Sequence, residues 1–356
     1  MSQVGTTEEA VNGEVTEFVE EPSSHVRQIV LTALAIFLAL FCGALLLWAA
    51  GANPFVAYAD MFKGVFTSSA ALSLVMGDVV PLLTIGLGLM IAFRAKIWNI
   101  GAEGQFLLGA LFGGAFAIYS PIETPIFIIP MTLLVGTLAG AAWGWIVGIL
   151  RARWGVNEVI TSLLMVYVAG FIVVYAIRQP MRDPEYFLPQ SAALPKTARL
   201  SEIPWLDVHS GLLIALALVP LVAYLINRTS FGIRSLMFGY NPDGTRAAGV
   251  NTSQLTVRIM LLSGGLAGLA GIMQVMGAET RITNNISPGF GFTAIIVALL
   301  GRLRPFGVFL AAVLIGVLNV GGDALQRSQG LPRAVVVVIQ ALFVIFLLIA
   351  ERTGSR

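Results

Sequence analysis

Side chains able to do chemistry are scarce in this 356-residue sequence. Inside or beside its apolar stretches stand Asp78, Asn99, Glu103, Gln105, Asn157 and Glu158. A buried reaction site needs positioned acid, base, nucleophile or metal-ligating groups. The two histidines, His25 and His209, fall outside the apolar runs, and the one cysteine, Cys42, lies within one. Neither a Ser-His-Asp arrangement nor a Cys/His metal site can be assembled from them, and no cofactor is expected. The sequence contains no Gly-x-x-x-x-Gly-Lys-Ser/Thr phosphate loop. These residues fit a chain that is not an enzyme and has no nucleotide motor of its own.

Each polar residue has a structural and a functional reading. Asp78 precedes Pro81, a pairing expected to break or kink its helix, with the carboxylate capping the restart; the alternative is a substrate contact. Asn99, Glu103 and Gln105 sit in the glycine-spaced run Trp98-Asn99-Ile100-Gly101-Ala102-Glu103-Gly104-Gln105. Non-helical backbone at membrane depth survives only where protein or a water-filled cavity satisfies it. Glu103 follows Lys96 closely, so an ion pair and a gating role both stay open. Asn157-Glu158 opens an apolar run, where an acid is favoured by the helix dipole.

Composition names the solvent. The chain is 57% hydrophobic and 11% charged, against about a quarter charged in soluble domains. Lipid must replace water over much of the surface. A net charge of +2 gives no basis for nucleic-acid binding. Apolar runs near 28–50, 71–93, 100–119, 126–150, 157–177, 211–227, 255–278, 291–301, 305–322 and 334–350 predict an all-α polytopic membrane protein of about ten spans. Some of these spans are expected to be broken or re-entrant, above all around 291–322. Arg94/Lys96, Arg151/Arg153 and Arg302/Arg304 fall in short loops on one side, which makes that side and both termini cytoplasmic.

Residues 1–26 read as a disordered acidic cytoplasmic tail and 27–351 as one membrane domain. A proline-rich external loop spans 178–210, and a polar internal loop spans 228–254. Gly136, Gly140, Gly144 and Gly148 draw a glycine ridge along one helix, with Gly109/Gly113 and Gly264/Gly268 elsewhere. Such ridges serve close packing within a chain or a contact between subunits.

Several segments together resemble the permease subunits of ATP-binding-cassette (ABC) importers in the branched-chain amino acid and simple-sugar superfamily, nearest the nucleoside-type branch that works with a basic membrane lipoprotein. They are Phe93-Arg94-Ala95 with Asn99-Ile100-Gly101-Ala102-Glu103-Gly104-Gln105, Asn157-Glu158-Val159-Ile160, and Gly291-Phe292-Thr293 with Val297-Ala298-Leu299-Leu300-Gly301. The internal loop, Gly239-Tyr240-Asn241-Pro242-Asp243-Gly244-Thr245-Arg246-Ala247-Ala248-Gly249, resembles the family's coupling loop. It departs from that pattern at Tyr240 and at Gly244-Thr245, and Val166 stands where the family often has asparagine. Likeness covers about 75–350, and it rests on the shared order of motifs that are individually weak.

The resemblance implies a translocating subunit in a bacterial cytoplasmic (inner) membrane. Its partners would be a cytoplasmic ATPase docking on Asn241–Gly249, a second homologous permease and an external substrate-binding lipoprotein. A nucleoside is the expected solute, with a simple sugar such as ribose as alternative. Asp78, Asn99, Glu103, Gln105, Asn157, Glu158, Phe292 and Thr293 are the pathway and gating candidates. An ion-coupled transporter is the rival class, but it needs ionisable groups at the membrane midplane.

Overall fold

The computed structural model describes residues 22–354, so most of the expected tail lies outside the described residues. From Pro22 the chain is already helical. Helices α1 (Pro22–Ala49) and α2 (Pro54–Phe66) are followed by α3 (Ser69–Arg94), α4 (Ala102–Tyr119), α5 (Pro125–Trp154) and α6 (Glu158–Arg178). Next come α7 (Gly211–Arg228), α8 (Ser230–Tyr240), α9 (Pro242–Ala247) and α10 (Thr252–Gln274), which runs on into a π-helical turn, Val275–Glu279. The series closes with α11 (Phe290–Leu300), α12 (Pro305–Gln329) and α13 (Arg333–Gly354). A two-residue antiparallel pair, β1 (Glu202–Ile203) and β2 (Val208–His209), lies in the 178–210 loop.

Every apolar run of the sequence forms a helix, but not every helix is a full crossing. Among the described residues seven are long and apolar enough to span a membrane, or up to eight if the bent α1–α2 pair counts as one span. α11 and the apolar stretch Val337–Leu347 of α13 are shorter. The sequence reading missed α2. The chain turns by 113° between Ala33–Ala49 and Pro54–Phe66. Gly51 takes φ +86°, Asn53 accepts from the Phe55 amide at 3.0 Å, and Pro54 opens the helix where its missing N–H has no intrahelical role.

Helices α3, α4 and α10 form the interior, and α5 packs most extensively on α10 and α4. Glycines set the spacing. A Cβ on Gly140 would sit 2.6 Å from the Cα of Gly268, and one on Gly268 would sit 2.8 Å from the Cα of Gly140. Gly109 of α4 meets Gly268 too, so three backbones converge where no side chain fits. The Gly136–Gly148 ridge is therefore used inside the chain, against α10, and is not a free subunit face.

The 178–210 loop is tied down. Its Ser191, Leu194 and Leu200 amides donate to carbonyls of Ile282, Thr280 and Met276. Arg281 bridges Asp183 at 2.7 Å and lies 4.4 Å from the Tyr186 ring centroid. That hydrogen-bonded guanidinium holds the Asp183 carboxyl below the usual carboxylate range. His209 is buried at the loop's end, its ring against Gly211 and Gly277, and neither ring nitrogen has a partner among the described residues.

Desolvation lowers the His209 pKa from 6.5 to about 4. The fold thus favours the neutral ring. The unfolded loop gains a proton first as pH falls, so stability present above pH 6.5 is lost between there and about 4. The shift corresponds to on the order of 3 kcal/mol. Hydrogen exchange over residues 200–212 should accelerate on acidification through that window, and the pH-linked part should vanish in His209→Leu. An unchanged pH profile in that variant would contradict the assignment.

Candidate functional site

The polar residues singled out from sequence separate into three groups. Asn99 and Gln105 face each other with reciprocal bonds, Asn99 Nδ2 to Gln105 Oε1 at 2.8 Å and Gln105 Nε2 to Asn99 Oδ1 at 3.0 Å. Asn99 Nδ2 also donates to Ser263 Oγ of α10 at 2.9 Å. All three side chains are buried. A satisfied amide ring of this kind fixes the non-helical 95–101 segment between α4 and α10.

Asn157 caps α6, accepting from the Val159 amide at 2.9 Å. Glu158 forms an ion pair with Arg151 at the end of α5, and Trp98 N donates to it at 3.4 Å. Both residues hold the α5–α6 corner, which agrees with the helix-start reading.

Asp78 corrects the expectation of a broken helix. α3 continues through Pro81 without interruption. Membrane helices tolerate an internal proline where neighbouring groups satisfy the freed backbone. Asp78 caps nothing. Its Oδ2 accepts from Asn319 Nδ2 of α12 at 3.1 Å, and Gln340 of α13 donates to Leu318 O and Asn319 Oδ1. The carboxylate anchors a polar ladder across α3, α12 and α13.

Glu103 is the residue the structure promotes. It does not pair with Lys96, whose Nζ instead lies 5.9 Å from the Tyr240 ring centroid. From the first turn of α4 its Oε2 accepts the Gly291 amide at 2.6 Å, in the first turn of α11. The Ser287 hydroxyl bonds it as well. One carboxylate thus serves two helix N-termini, where backbone donors and dipoles favour negative charge. α11 has 11 residues, about 16 Å of helix and so about half the hydrocarbon thickness. Before it, 280–289 is irregular, with Thr280 at φ +55° and Gly289 at φ +97°. A broken helix whose N-terminus is held by a buried acid resembles the half-helix sites that membrane transporters use.

A cavity of about 310 Å³ adjoins this joint, lined by Glu103 and Val166, by Tyr167 and Phe171 of α6, and by Asn284. Phe292 is exposed and Thr293 half-buried, on the turn that follows Gly291. Sequence reasoning missed Ser287, Asn284, Tyr167 and Phe171. Nothing local marks them, because the joint brings together residues 188 positions apart.

The 228–254 loop folds as α8, α9 and the start of α10. Asn241 Oδ1 accepts from Gly244 N at 2.9 Å, and Thr245 Oγ1 donates to Asn241 O at 2.8 Å. Arg246 reaches Asp243 at 3.3 Å, and Gly249 ends the helix at φ +80°. Across Asn241–Gly249 every residue but Thr245 is exposed. Gly244, a departure from the family pattern, is the residue whose amide takes the cap.

A family model described as the permease component of branched-chain amino acid transport systems matches residues 71–348. The chain belongs to that permease family. A glucose ABC transporter permease protein of Haloferax volcanii is 38% identical over 90% of this permease and 87% of its own length. The guanosine ABC transporter permease protein NupP of Bacillus subtilis is 31% identical, over 89% and 92%. A second guanosine permease protein of that organism, NupQ, is 26% identical, over 71% and 82%. No solved structure matches. As the permease component of an ABC transporter, this multi-pass membrane protein is not itself an enzyme.

Proposed function

We propose that this permease imports nucleosides or closely related ribose-bearing solutes through the cytoplasmic membrane of a bacterium or archaeon, driven by a separate ATPase that docks on Asn241–Gly249. One observation carries the reading. α9 is a built element, capped at Asn241 and closed at Gly249, yet almost wholly exposed. A short helix stabilised from within and left projecting is suited to seat in a partner's groove. An external lipoprotein would dock over the 178–210 loop, where Phe187, Leu188 and Trp205 stand exposed on a braced frame. A second permease would face this one, as the two guanosine permease proteins of B. subtilis suggest.

In this account the Glu103 joint acts as a gate. Movement of α9 passes through α8, whose Gly239 lies against Arg94 and Ala95, into the segment leading to Asn99 and α4. A simple sugar is the second reading, supported by the 38% identity to the glucose permease protein. Uptake of labelled guanosine by cells expressing the full transporter discriminates them. Unlabelled nucleosides should suppress the signal and excess glucose should not. Strong glucose uptake with no nucleoside competition would reverse the assignment.

A further inference from the structure

Between α5 and α10 an apolar groove of about 480 Å³ runs along Trp145, Ile149, Val257 and Leu261, with Arg153 and Arg258 also on its wall. Beyond Arg258 lies a second cleft of about 360 Å³, which includes Arg234 of α8 and Asn251 and Gln254 at the start of α10. Arg258 belongs to both. Among the described residues no carboxylate lines either cleft. Among the described residues none of the three guanidiniums is in an ion pair, whereas neighbouring Arg151 is paired with Glu158. Arg153 in the last turn of α5 is favoured by the helix dipole. Arg258, well inside α10, and Arg234, inside α8, have no such local reason.

The groove lies between two closely packed helices. Glycine contacts set the distance between its helices, Gly144 against the Met260 carbonyl and Gly148 against Val257 and Met260. Trp145 is 44% exposed along it. A small inorganic anion would satisfy the arginines but leave the apolar slot unused. An acyl chain alone would fill the slot and leave the charges. We propose that the α5–α10 groove holds an anionic phospholipid of the cytoplasmic leaflet, its phosphate on Arg153 and Arg258, with Arg234 on the adjoining cleft, and its acyl chain along Trp145 and Leu261. Basic pockets between membrane helices on the cytoplasmic side suit such headgroups. The choice of leaflet rests on the proposed orientation; the binding chemistry does not.

The full chain is purified and placed in nanodiscs of phosphatidylcholine with or without phosphatidylglycerol, and the retained lipid is quantified by mass spectrometry. The wild type should retain phosphatidylglycerol over phosphatidylcholine. R153Q/R258Q should lose that preference by about tenfold or more. W145A should weaken retention of both lipids with the charge preference intact. R153K/R258K, keeping the charge, controls for folding. Equal retention in R153Q/R258Q overturns the proposal. So does displacement by inorganic phosphate that stabilises the chain as well as the lipid does, which would mark a plain anion site. Retained lipid with lost ATPase association in R153Q/R258Q would assign the arginines to docking instead. Uptake is not the readout, so failure here leaves the transport reading standing.

Discussion

Gly268→Leu is expected to abolish the folded permease. The Cβ of any residue at 268 would lie 2.5 Å from Gly136 O and 2.8 Å from the Cα of Gly140, and these are backbone atoms that no rotamer change can move. Overpacking a well-filled interior costs about 1–3 kcal/mol even when side chains can shift. Here α5 and α10 would have to separate, opening the central three-helix contact, so even Gly268→Ala should cost several kcal/mol. Gly265, three residues earlier on α10, supplies the control. Its Cβ would meet Thr137 Cγ2 at 3.5 Å and Ala141 Cβ at 3.6 Å, ordinary contact distances. Gly265→Ala should fall within about 1 kcal/mol of wild type. The yield of monodisperse protein and its melting temperature read the difference. A Gly268→Leu protein as stable as Gly265→Ala would show that the glycines do not set helix spacing.

That contrast marks what a sequence can and cannot say. The four-residue glycine period was visible, and so was its packing chemistry, but not its partner; Gly264 and Gly268 were noted only as a second small-residue pair. Helix existence was legible throughout the long apolar runs, because lipid leaves the backbone little choice. α2 escaped because Asp60 and Lys63 dilute a 13-residue helix, although Asn53-Pro54 carried a readable start signal. The break expected at Asp78-Pro81 does not occur: α3 runs unbroken from Ser69 to Arg94, and membrane helices tolerate an internal proline. For Glu103 the sequence leaves an ion pair with Lys96 and a gating role both open, and in the structure Lys96 lies against Tyr240 instead. The true partner is a backbone amide of α11, and long-range pairing to main chain leaves no pattern in side-chain types. Asn241-Pro242-Asp243, by contrast, is a local signal, and the helix it announces is present.

The second large effect is expected at that helix. Asp243→Lys with Arg246→Glu reverses the charges that α9 presents while preserving its internal pair, which spans 3.3 Å between two exposed side chains. An exposed pair of this kind contributes little to stability, so expression and melting should stay near wild type. Uptake should fall by at least tenfold and the ATPase subunit should no longer co-purify, because charge reversal on a docking element converts attraction into repulsion. Asn241→Ala offers an independent route to the same end. It removes the cap on Gly244 N, costing about 1 kcal/mol locally, and should weaken coupling without reversing charge. Unchanged uptake and ATPase association in the charge-reversed protein would remove α9 from the drive mechanism.

The central claim is that solute movement through this chain is powered at one short element on its inner face. Replacing Cys42 with serine leaves a cysteine-free background, into which a single cysteine at position 243 can be placed. In the assembled transporter that cysteine should cross-link to the ATPase subunit from the cytoplasmic side, and uptake should stop once the link forms. Labelling of position 243 by a membrane-impermeant reagent added outside intact cells, with uptake continuing in the absence of nucleotide hydrolysis, would contradict it.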